Sequence, residues 1–293
     1  MARDLVLVVL VAVAARVAYV ALLGDVMGAD EAVNALIALA IARGQDFPVL
    51  MWEAYYSGTL LAYLAAALFR IVGVSTVAFR TAGVLFGVLA VALASVTARA
   101  LWGRGAGLVT GLWLALVPPV MVRLTAQTPG GYPEALAFSA LALWLTVRIA
   151  ARPDAPLGAW AGLGAAGGLG TWGLPVALPS LAGCAMALRR RLGDRRGRVA
   201  LAAAAGFVAG AAPFLVYNVT HPGVSLLRLG GRVMGVSATD VSGASSKAAL
   251  AAVVGARYLR GRVTFLAALP GDVLGALGPL PLVIVTLAVA LAC

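Results

Sequence analysis

The sequence predicts an all-α, polytopic helical membrane protein with about eight transmembrane spans. Hydrophobic residues make up 62% of the 293-residue chain and charged residues only 11%. The mean hydropathy of +1.01 lies far outside the range of soluble domains. Several apolar stretches reach the roughly 20 residues that a helix needs to cross a bilayer. The alternation of period two that is typical of an outer-membrane barrel is absent from the sequence.

Short basic connections between the apolar stretches predict which side of the membrane is cytoplasmic. Many of the 22 basic residues fall there, which is typical of a topology signal rather than of a nucleic-acid-binding surface. We therefore expect a cytoplasmic N-terminus, a location in the plasma or inner membrane, and no nucleic-acid partner. Nearly all basic residues are Arg, which indicates a GC-rich bacterial genome. The residues that set the orientation are Arg3, Arg99, Arg104, Arg148, Arg152 and the Arg-rich run 189–198.

Four spans are predicted in the first half of the chain. The first, 5–23, runs outward, and it is too long and too poorly flanked by small residues to be a removable signal peptide. Span 75–98 returns to the cytoplasm. Span 106–122 leads out again, and span 133–149 comes back, with the external loop 123–132 between these two.

The segment 157–188 has cytoplasmic flanks at both ends, so one long helix cannot fill it. A run of glycines followed by Pro175 predicts a turn in its middle. The interpretation is therefore a pair of short spans, 157–171 and 174–188, that meet near the outer face.

A further span, 199–217, is expected to lead to an external region, 218–271, and a last span, 273–292, to return. The chain stops at Cys293 without a polar flank or a basic anchor after that span. This abrupt end predicts that a C-terminal portion is missing.

The external loop 24–73 is predicted to contain two short helices. The segment 32–43 is apolar but too short to span, so it is expected to lie in the membrane interface. The segment 58–72 is predicted as the second helix, with Tyr63 and Arg70 as interfacial anchors. Such a folded loop next to the bilayer suits a site that acts on an amphipathic substrate.

Three of the 11 acidic residues stand out because the predicted topology brings them to one external membrane boundary. Asp30 and Glu31 follow the first span, where carboxylates are costly unless they are used. Asp30 immediately precedes a helical segment, so an N-cap is the alternative explanation. Glu134 follows a Gly-Gly-Tyr-Pro turn, where an acidic residue in the first helical turn is also common.

External arginines accompany these acids, against the usual charge bias. They would either anchor the protein among lipid headgroups or bind the phosphate of a lipid-linked substrate through their bidentate fork. They are Arg43, Arg70, Arg80, Arg123, Arg228, Arg232, Arg257, Arg260 and Arg262.

Five sequence features follow one another in a characteristic order over residues 5–225. They are Asp30-Glu31 followed by an amphipathic helix; Tyr55-Tyr56-Ser-Gly leading to Phe79-Arg80; Pro118-Pro119 followed by Gly-Gly-Tyr-Pro-Glu134; the Gly-rich hairpin through Trp172; and a Pro213 segment that closes the next span at Asn218. In this order the chain resembles the GT-C glycosyltransferases of the protein-O-mannosyltransferase and aminoarabinose-transferase type. Relatives with a Lys or His near a Pro-Pro in the first loop differ from this chain, which has Tyr-Tyr-Ser-Gly there.

The resemblance implies one GT-C transmembrane domain, 1–293, that moves a sugar from a polyprenyl-phosphate donor to an acceptor hydroxyl on the extracytoplasmic face, with inversion. Asp30 would be the base and Glu31 would orient it or the acceptor. Glu134 would bind acceptor hydroxyls or, together with Asp30, ligate Mg²⁺ or Mn²⁺. Candidates for the donor phosphate are Arg80, Arg123, Arg228 and Arg232, and the aromatic candidates for substrate contact are Tyr55, Tyr56 and Tyr132.

Two alternatives stay open from the sequence. A multipass transporter or lipid flippase would also show many spans, but it would tend to carry internal repeats and mid-span ionisable residues. No clear repeat is present. The second alternative is an inactive or truncated relative of the same family.

Overall fold

The computed structural model describes residues 2–116, 119–152, 154–189 and 195–225, and within these ranges the protein is helical, with no strand. The predicted span 273–292 and most of the region 218–271 lie outside them. In chain order the helices are α1 (Ala2–Leu23), α2 (Ala29–Ala42), α3 (Leu60–Val72), α4 (Thr76–Trp102), α5 (Arg104–Leu116), α6 (Pro119–Ala126), α7 (Tyr132–Ala150), α8 (Leu157–Gly173), a 3₁₀ turn (Pro175–Ala177), α9 (Leu178–Leu188) and α10 (Arg196–Thr220).

The all-helical membrane class is confirmed. Four helices of the described ranges, α1, α4, α7 and α10, are long and apolar enough to cross a membrane. Helices α5 and α6 meet at an angle of 67°. If the two helices form one bent crossing, the described ranges contain a fifth span. The two short helices expected within 157–188 are present as α8 and α9, and they are separated at Leu174-Pro175.

The predicted span 106–122 differs from the structure, in which α5 ends at Leu116 and α6 begins at Pro119. The sequence carries Pro118-Pro119 at this position. A proline removes a backbone donor and clashes with the preceding turn, so a straight helix cannot continue through the pair. Helix α6 packs against α1 and α4.

Arg16 joins α1 to the broken segment. Its side chain is fully buried, and its Nε donates to Thr125 Oγ1 of α6 at 2.9 Å. A Cβ at Gly87 of α4 would lie 2.7 Å from this Nε, so the glycine makes room for the guanidinium. A charge in the middle of a span is therefore used to hold three helices together.

Helices α8 and α10 pack at very close range through glycines spaced four residues apart, as in small-residue contacts between membrane helices. A Cβ at Gly164 would overlap the carbonyl oxygen of Ala203, and a Cβ at Gly206 would overlap that of Ala161. Gly168 and Gly210 continue the contact one turn further along the pair. This contact fixes α10 against α8, whose C-terminal end reaches the start of α7.

We expect Gly164→Ala to lower the free energy of unfolding by about 1–3 kcal/mol, because the added methyl overlaps backbone and forces the helices apart. Gly162→Ala in the same helix is the matched control. A Cβ there would meet nothing closer than Leu145 Cδ1 at 3.9 Å. Thermal unfolding followed by tryptophan fluorescence compares the two variants, and an equal effect of both would contradict the close-packing account.

Candidate active site

Asp30 and Glu31 both lie inside the first turn of α2, where the helix dipole favours carboxylates. The alternative explanation of Asp30 as the N-cap residue is wrong, because α2 begins at Ala29 and Asp30 lies within it. Gly28 is the N-cap residue, and its backbone N–H donates to Glu31 Oε2 at 3.4 Å. Glu31, at the third helical position, is therefore the residue that reaches back to the helix start, in the manner of a capping box.

Glu31 is also one half of a buried ion pair with Arg80 of α4. Arg80 Nε donates to Glu31 Oε1 at 2.7 Å and Nη2 donates to Oε2 at 3.2 Å. The two residues are 1% and 0% exposed. The remaining donors reach the carbonyl oxygens of Gly24 at 2.5 Å and Val26 at 2.6 Å. The guanidinium, expected as a donor-phosphate ligand, is thus occupied by protein acceptors that fix the α1–α2 turn and the start of α2.

Asp30, by contrast, is partly exposed and lines a small surface cavity. Tyr56 and Tyr132 line the same cavity, together with the Gly130–Gly131 turn. Three residues that were singled out in the sequence therefore come together, although they lie far apart along the chain. The cavity lining combines a carboxylate with two aromatic side chains, which suits a polar substrate with an apolar face.

The cavity wall is held by hydrogen bonds between three chain segments. Gly131 N–H donates to Ser57 Oγ at 2.8 Å, and Gly58 N–H donates to the carbonyl oxygen of Gly173 at 2.9 Å. Trp172 Nε1–H donates to the carbonyl oxygen of Val49 at 2.7 Å. The loop before α3, the turn before α7 and the end of α8 therefore form one unit. Sequence reasoning missed Ser57 in this role, and the neighbouring glycines were the only signal for it.

Glu134 lies in this wall and does not line the cavity. The Glu134 side chain is fully buried. It packs directly against Gly173, where an added Cβ would lie only 2.5 Å from Glu134 Cγ. Oε1 accepts a long hydrogen bond from Leu61 N–H at 3.4 Å, near the N-terminus of α3. Oε2 has no hydrogen-bond partner among the described atoms. The carboxylate therefore faces the start of α3 and is separate from Asp30.

The described residues contain no cluster of three or more His, Cys, Asp or Glu side chains that could hold a metal ion. Asp30 and Glu134, the two candidate ligands for Mg²⁺ or Mn²⁺, are not brought to a common cavity. These two carboxylates therefore do not form one shared metal site among the described residues.

Arg123 is exposed on α6 and its Nε donates to Gln127 Oε1 at 3.1 Å. The Gln127 amide in turn lies beside Gly28, 3.8 Å from the position of a Cβ there. Arg123 is thus close to the start of α2 and available to a ligand. Arg228 and Arg232 lie outside the described residues.

Tyr55 is directed away from the cavity. Its backbone has a positive φ of 51°, and its ring stacks on Tyr217 of α10 with centroids 6.2 Å apart. Tyr217 stacks in turn on His221 at 4.4 Å, and Ser225 Oγ donates to the Tyr55 carbonyl oxygen. The aromatic stack fastens the loop 51–57 to the end of α10, a role that the sequence did not indicate for Tyr217 or His221.

Asn34 lies below Asp30 on the same face of α2, one helical turn further in. It is fully buried, and both amide atoms lack partners among the described residues. Buried polar groups are normally hydrogen-bonded. The face of α2 that carries Asp30 at the protein surface therefore carries a second polar side chain, Asn34, in the protein interior.

Comparison with known protein families places the cavity wall in a family of known chemistry. The model of the dolichyl-phosphate-mannose-protein mannosyltransferase family matches residues 57–217, which is more than half of the chain. The match begins at Ser57 and ends at Tyr217, so it includes the cavity wall and the α8–α10 pair, whereas Asp30 and Glu31 precede it. No curated protein and no solved structure matches the chain.

Proposed function

The chain belongs to the dolichyl-phosphate-mannose-protein mannosyltransferase family, and we propose that it moves a sugar from a polyprenyl-phosphate carrier to an acceptor hydroxyl, with Asp30 as the base. The family and the apolar helices together support an integral membrane glycosyltransferase. We further propose the polyprenyl-phosphate carrier, the inversion at the anomeric carbon and the role of Asp30 as the base. The family name also favours an enzyme over a transporter or flippase.

The observation that carries the proposal is the contrast between two neighbouring carboxylates. Glu31 is buried and held by Arg80, whereas Asp30 is partly exposed at a cavity lined by Tyr56 and Tyr132. A base must be fixed in position and also reach the substrate. The Glu31–Arg80 pair supplies the first condition, because it holds the turn of α2 from which Asp30 projects.

In the proposed reaction the acceptor hydroxyl oxygen attacks the anomeric carbon of the sugar. The bond between that carbon and the phosphate oxygen breaks, and the electron pair leaves with the polyprenyl phosphate. Asp30 takes the hydroxyl proton. An ionised Asp is a weak base towards an alcohol, so proton transfer is late and coupled to formation of the new bond. Attack opposite to the leaving phosphate inverts the configuration.

The donor phosphate is assigned to Arg123. This guanidinium is exposed on α6, and its partner Gln127 lies beside the start of α2. An arginine fork binds phosphate oxygens in a bidentate manner and lowers the cost of the departing charge. Arg228 and Arg232 stay candidates for the same task. Tyr56 and Tyr132 would contact the sugar or the acceptor, and the site would face the extracytoplasmic side.

Glu31 is proposed as a positioning residue rather than as a second base, because both of its oxygens are engaged by Arg80. Glu134 is proposed to hold the start of α3 through Leu61 and thereby to shape the cavity wall. An acceptor contact at Glu134 would require access through that wall.

The test is transfer by the purified protein in liposomes that contain radiolabelled mannosyl polyprenyl phosphate, with bacterial membrane extract as the source of acceptors. We expect label to pass into the acceptor fraction and free polyprenyl phosphate to appear in equal amount. A donor that crosses the bilayer without being consumed would instead support a flippase, and a donor that stays intact and in place would remove the transferase proposal.

A further inference from the structure

A second, entirely apolar groove runs between α9 and α10, with α8 as its floor. Its cavity volume is about 290 Å³, which is at the lower end of the range of small-molecule sites. The walls carry Leu181 and Ala185 of α9 and Ala200, Ala204 and Phe207 of α10, and Trp160 of α8 closes the floor. We call this feature the α9–α10 groove.

The groove lies far from Asp30. Trp160 is near the start of α8, and Gly173, at its end, belongs to the cavity wall. Trp160 lies thirteen positions before Gly173, which is roughly 20 Å along the helix axis, and Gly164, the groove residue of α8 nearest to that wall, lies nine positions before it, roughly 14 Å. The α9–α10 groove is therefore a different site from the proposed active site, and a ligand bound in it would take no part in the transfer reaction.

Both walls of the groove continue into arginine. On α9, Leu181 and Ala185 are followed four residues later by Arg189, whose backbone stays helical. On α10, Ala204 and Ala200 are preceded four residues earlier by Arg196. Residues four apart share a helix face. Because α9 ends where the connection to α10 begins, the two guanidinium groups belong to the same end of the groove.

These arginines are charged without a compensating acid in the described structure. Arg189 and Arg196 are exposed, and neither belongs to an ion pair among the described residues. Arg99 and Arg104, at the end of α4 and the start of α5, instead share Asp4. The positive charge of Arg196 also opposes the dipole of α10, whose first turn has no acidic residue. Helix stability therefore does not explain its position.

We propose that the α9–α10 groove binds an anionic membrane phospholipid, with one acyl chain between α9 and α10 and the phosphate at Arg189 and Arg196. An apolar groove that opens between basic residues of membrane helices matches an acidic lipid in shape and charge. The positive-inside signal accounts for arginines in this connection, but it does not account for their register with the groove. The lipid would fill a gap that α9 and α10 leave open and would hold α9 in place.

The test is lipid retention by the purified full-length protein, measured by native mass spectrometry after exchange into micelles with dioleoyl phosphatidylglycerol or dioleoyl phosphatidylcholine. The wild type is expected to retain one phosphatidylglycerol in preference to phosphatidylcholine. The double variant Arg189→Gln/Arg196→Gln is expected to lose this preference, with an affinity for phosphatidylglycerol about tenfold lower, because charge-assisted hydrogen bonds to phosphate are removed.

The control is Arg148→Gln/Arg152→Gln, which removes the same charge from exposed arginines outside the groove. It is expected to retain phosphatidylglycerol like the wild type. An equal loss in this control, or equal retention of both lipids by the wild type, would overturn the proposal.

Ala204→Trp fills the groove and leaves both guanidinium groups in place, so it should lower retention of phosphatidylglycerol. Unchanged retention in this variant would also overturn the proposal.

Discussion

Asp30→Asn is expected to lower the rate of sugar transfer by roughly 10²–10⁴-fold, the range that a positioned base contributes. The amide has nearly the same shape as the carboxylate, but it cannot take the acceptor proton. The side chain is partly exposed at the rim of a cavity, so its replacement should not change the fold. The measurement is incorporation of label from mannosyl polyprenyl phosphate by liposomes that contain equal amounts of folded protein.

Asp46→Asn is the matched control for this change. Asp46 is exposed in the segment between α2 and α3, where its Oδ1 accepts a hydrogen bond from Phe47 N–H at 2.8 Å. An asparagine oxygen can accept the same bond, so the control should transfer sugar at the wild-type rate. If Asp30→Asn and Asp46→Asn lowered the transfer rate equally, the loss would reflect the removal of a negative charge at either position rather than the removal of a base at position 30.

Arg80→Met is expected to lower the free energy of unfolding by about 3–5 kcal/mol, because it leaves the Glu31 carboxylate buried without a counterion. Both side chains are almost completely shielded from solvent, so water cannot replace the guanidinium. The same change frees the carbonyl oxygens of Gly24 and Val26 that Arg80 binds. Transfer activity should fall as well, since the first turn of α2 that carries Asp30 loses its support.

The double variant Arg80→Met/Glu31→Gln separates charge from packing. Removal of both charges avoids the unpaired carboxylate, and replacing a buried pair together is often far less costly than breaking it. The double variant should therefore be more stable than Arg80→Met alone. Arg43→Met, at an exposed position just after α2, should change stability by less than about 0.5 kcal/mol. A double variant less stable than Arg80→Met would contradict the role of the pair. Thermal unfolding in detergent gives all three values.

The helices could be predicted closely because their signals are local. The spans 75–98 and 133–149 correspond to α4 (Thr76–Trp102) and α7 (Tyr132–Ala150), since long apolar stretches between basic residues leave little alternative. The turn at Pro175 was also predictable from the glycines before it. The bend between α5 and α6 had a signal in Pro118-Pro119, which hydropathy alone does not report.

The candidate site could be predicted only in part. The predicted topology places Asp30 and Tyr132 at one membrane boundary, and the structure adds the cavity that they share. The partner of Arg80 could not be predicted, because Glu31 lies 49 positions away and a single sequence carries no signal for such a pair. An external phosphate ligand and a buried ion-pair partner look the same in one sequence. Only burial distinguishes them.

The contact between Gly131 and Ser57 was hidden for a similar reason. A backbone N–H donating to a serine hydroxyl depends on how three loops meet, and no periodicity reports that. The positive φ of Tyr55 turns its ring towards Tyr217, so two adjacent tyrosines point to different surroundings. The sequence predicts substrate contact for both tyrosines, whereas in the structure only Tyr56 lines the cavity.

The role of Asp30 as the base of sugar transfer can be tested by measuring donor occupancy and transfer rate in the same preparation of Asp30→Asn. Occupancy is read from labelled mannosyl polyprenyl phosphate that stays with the protein, and the rate from label that reaches the acceptor. We expect wild-type occupancy with a transfer rate lower by at least about 100-fold, the pattern of an interaction made only in the transition state. Wild-type occupancy with an unchanged transfer rate would contradict this role.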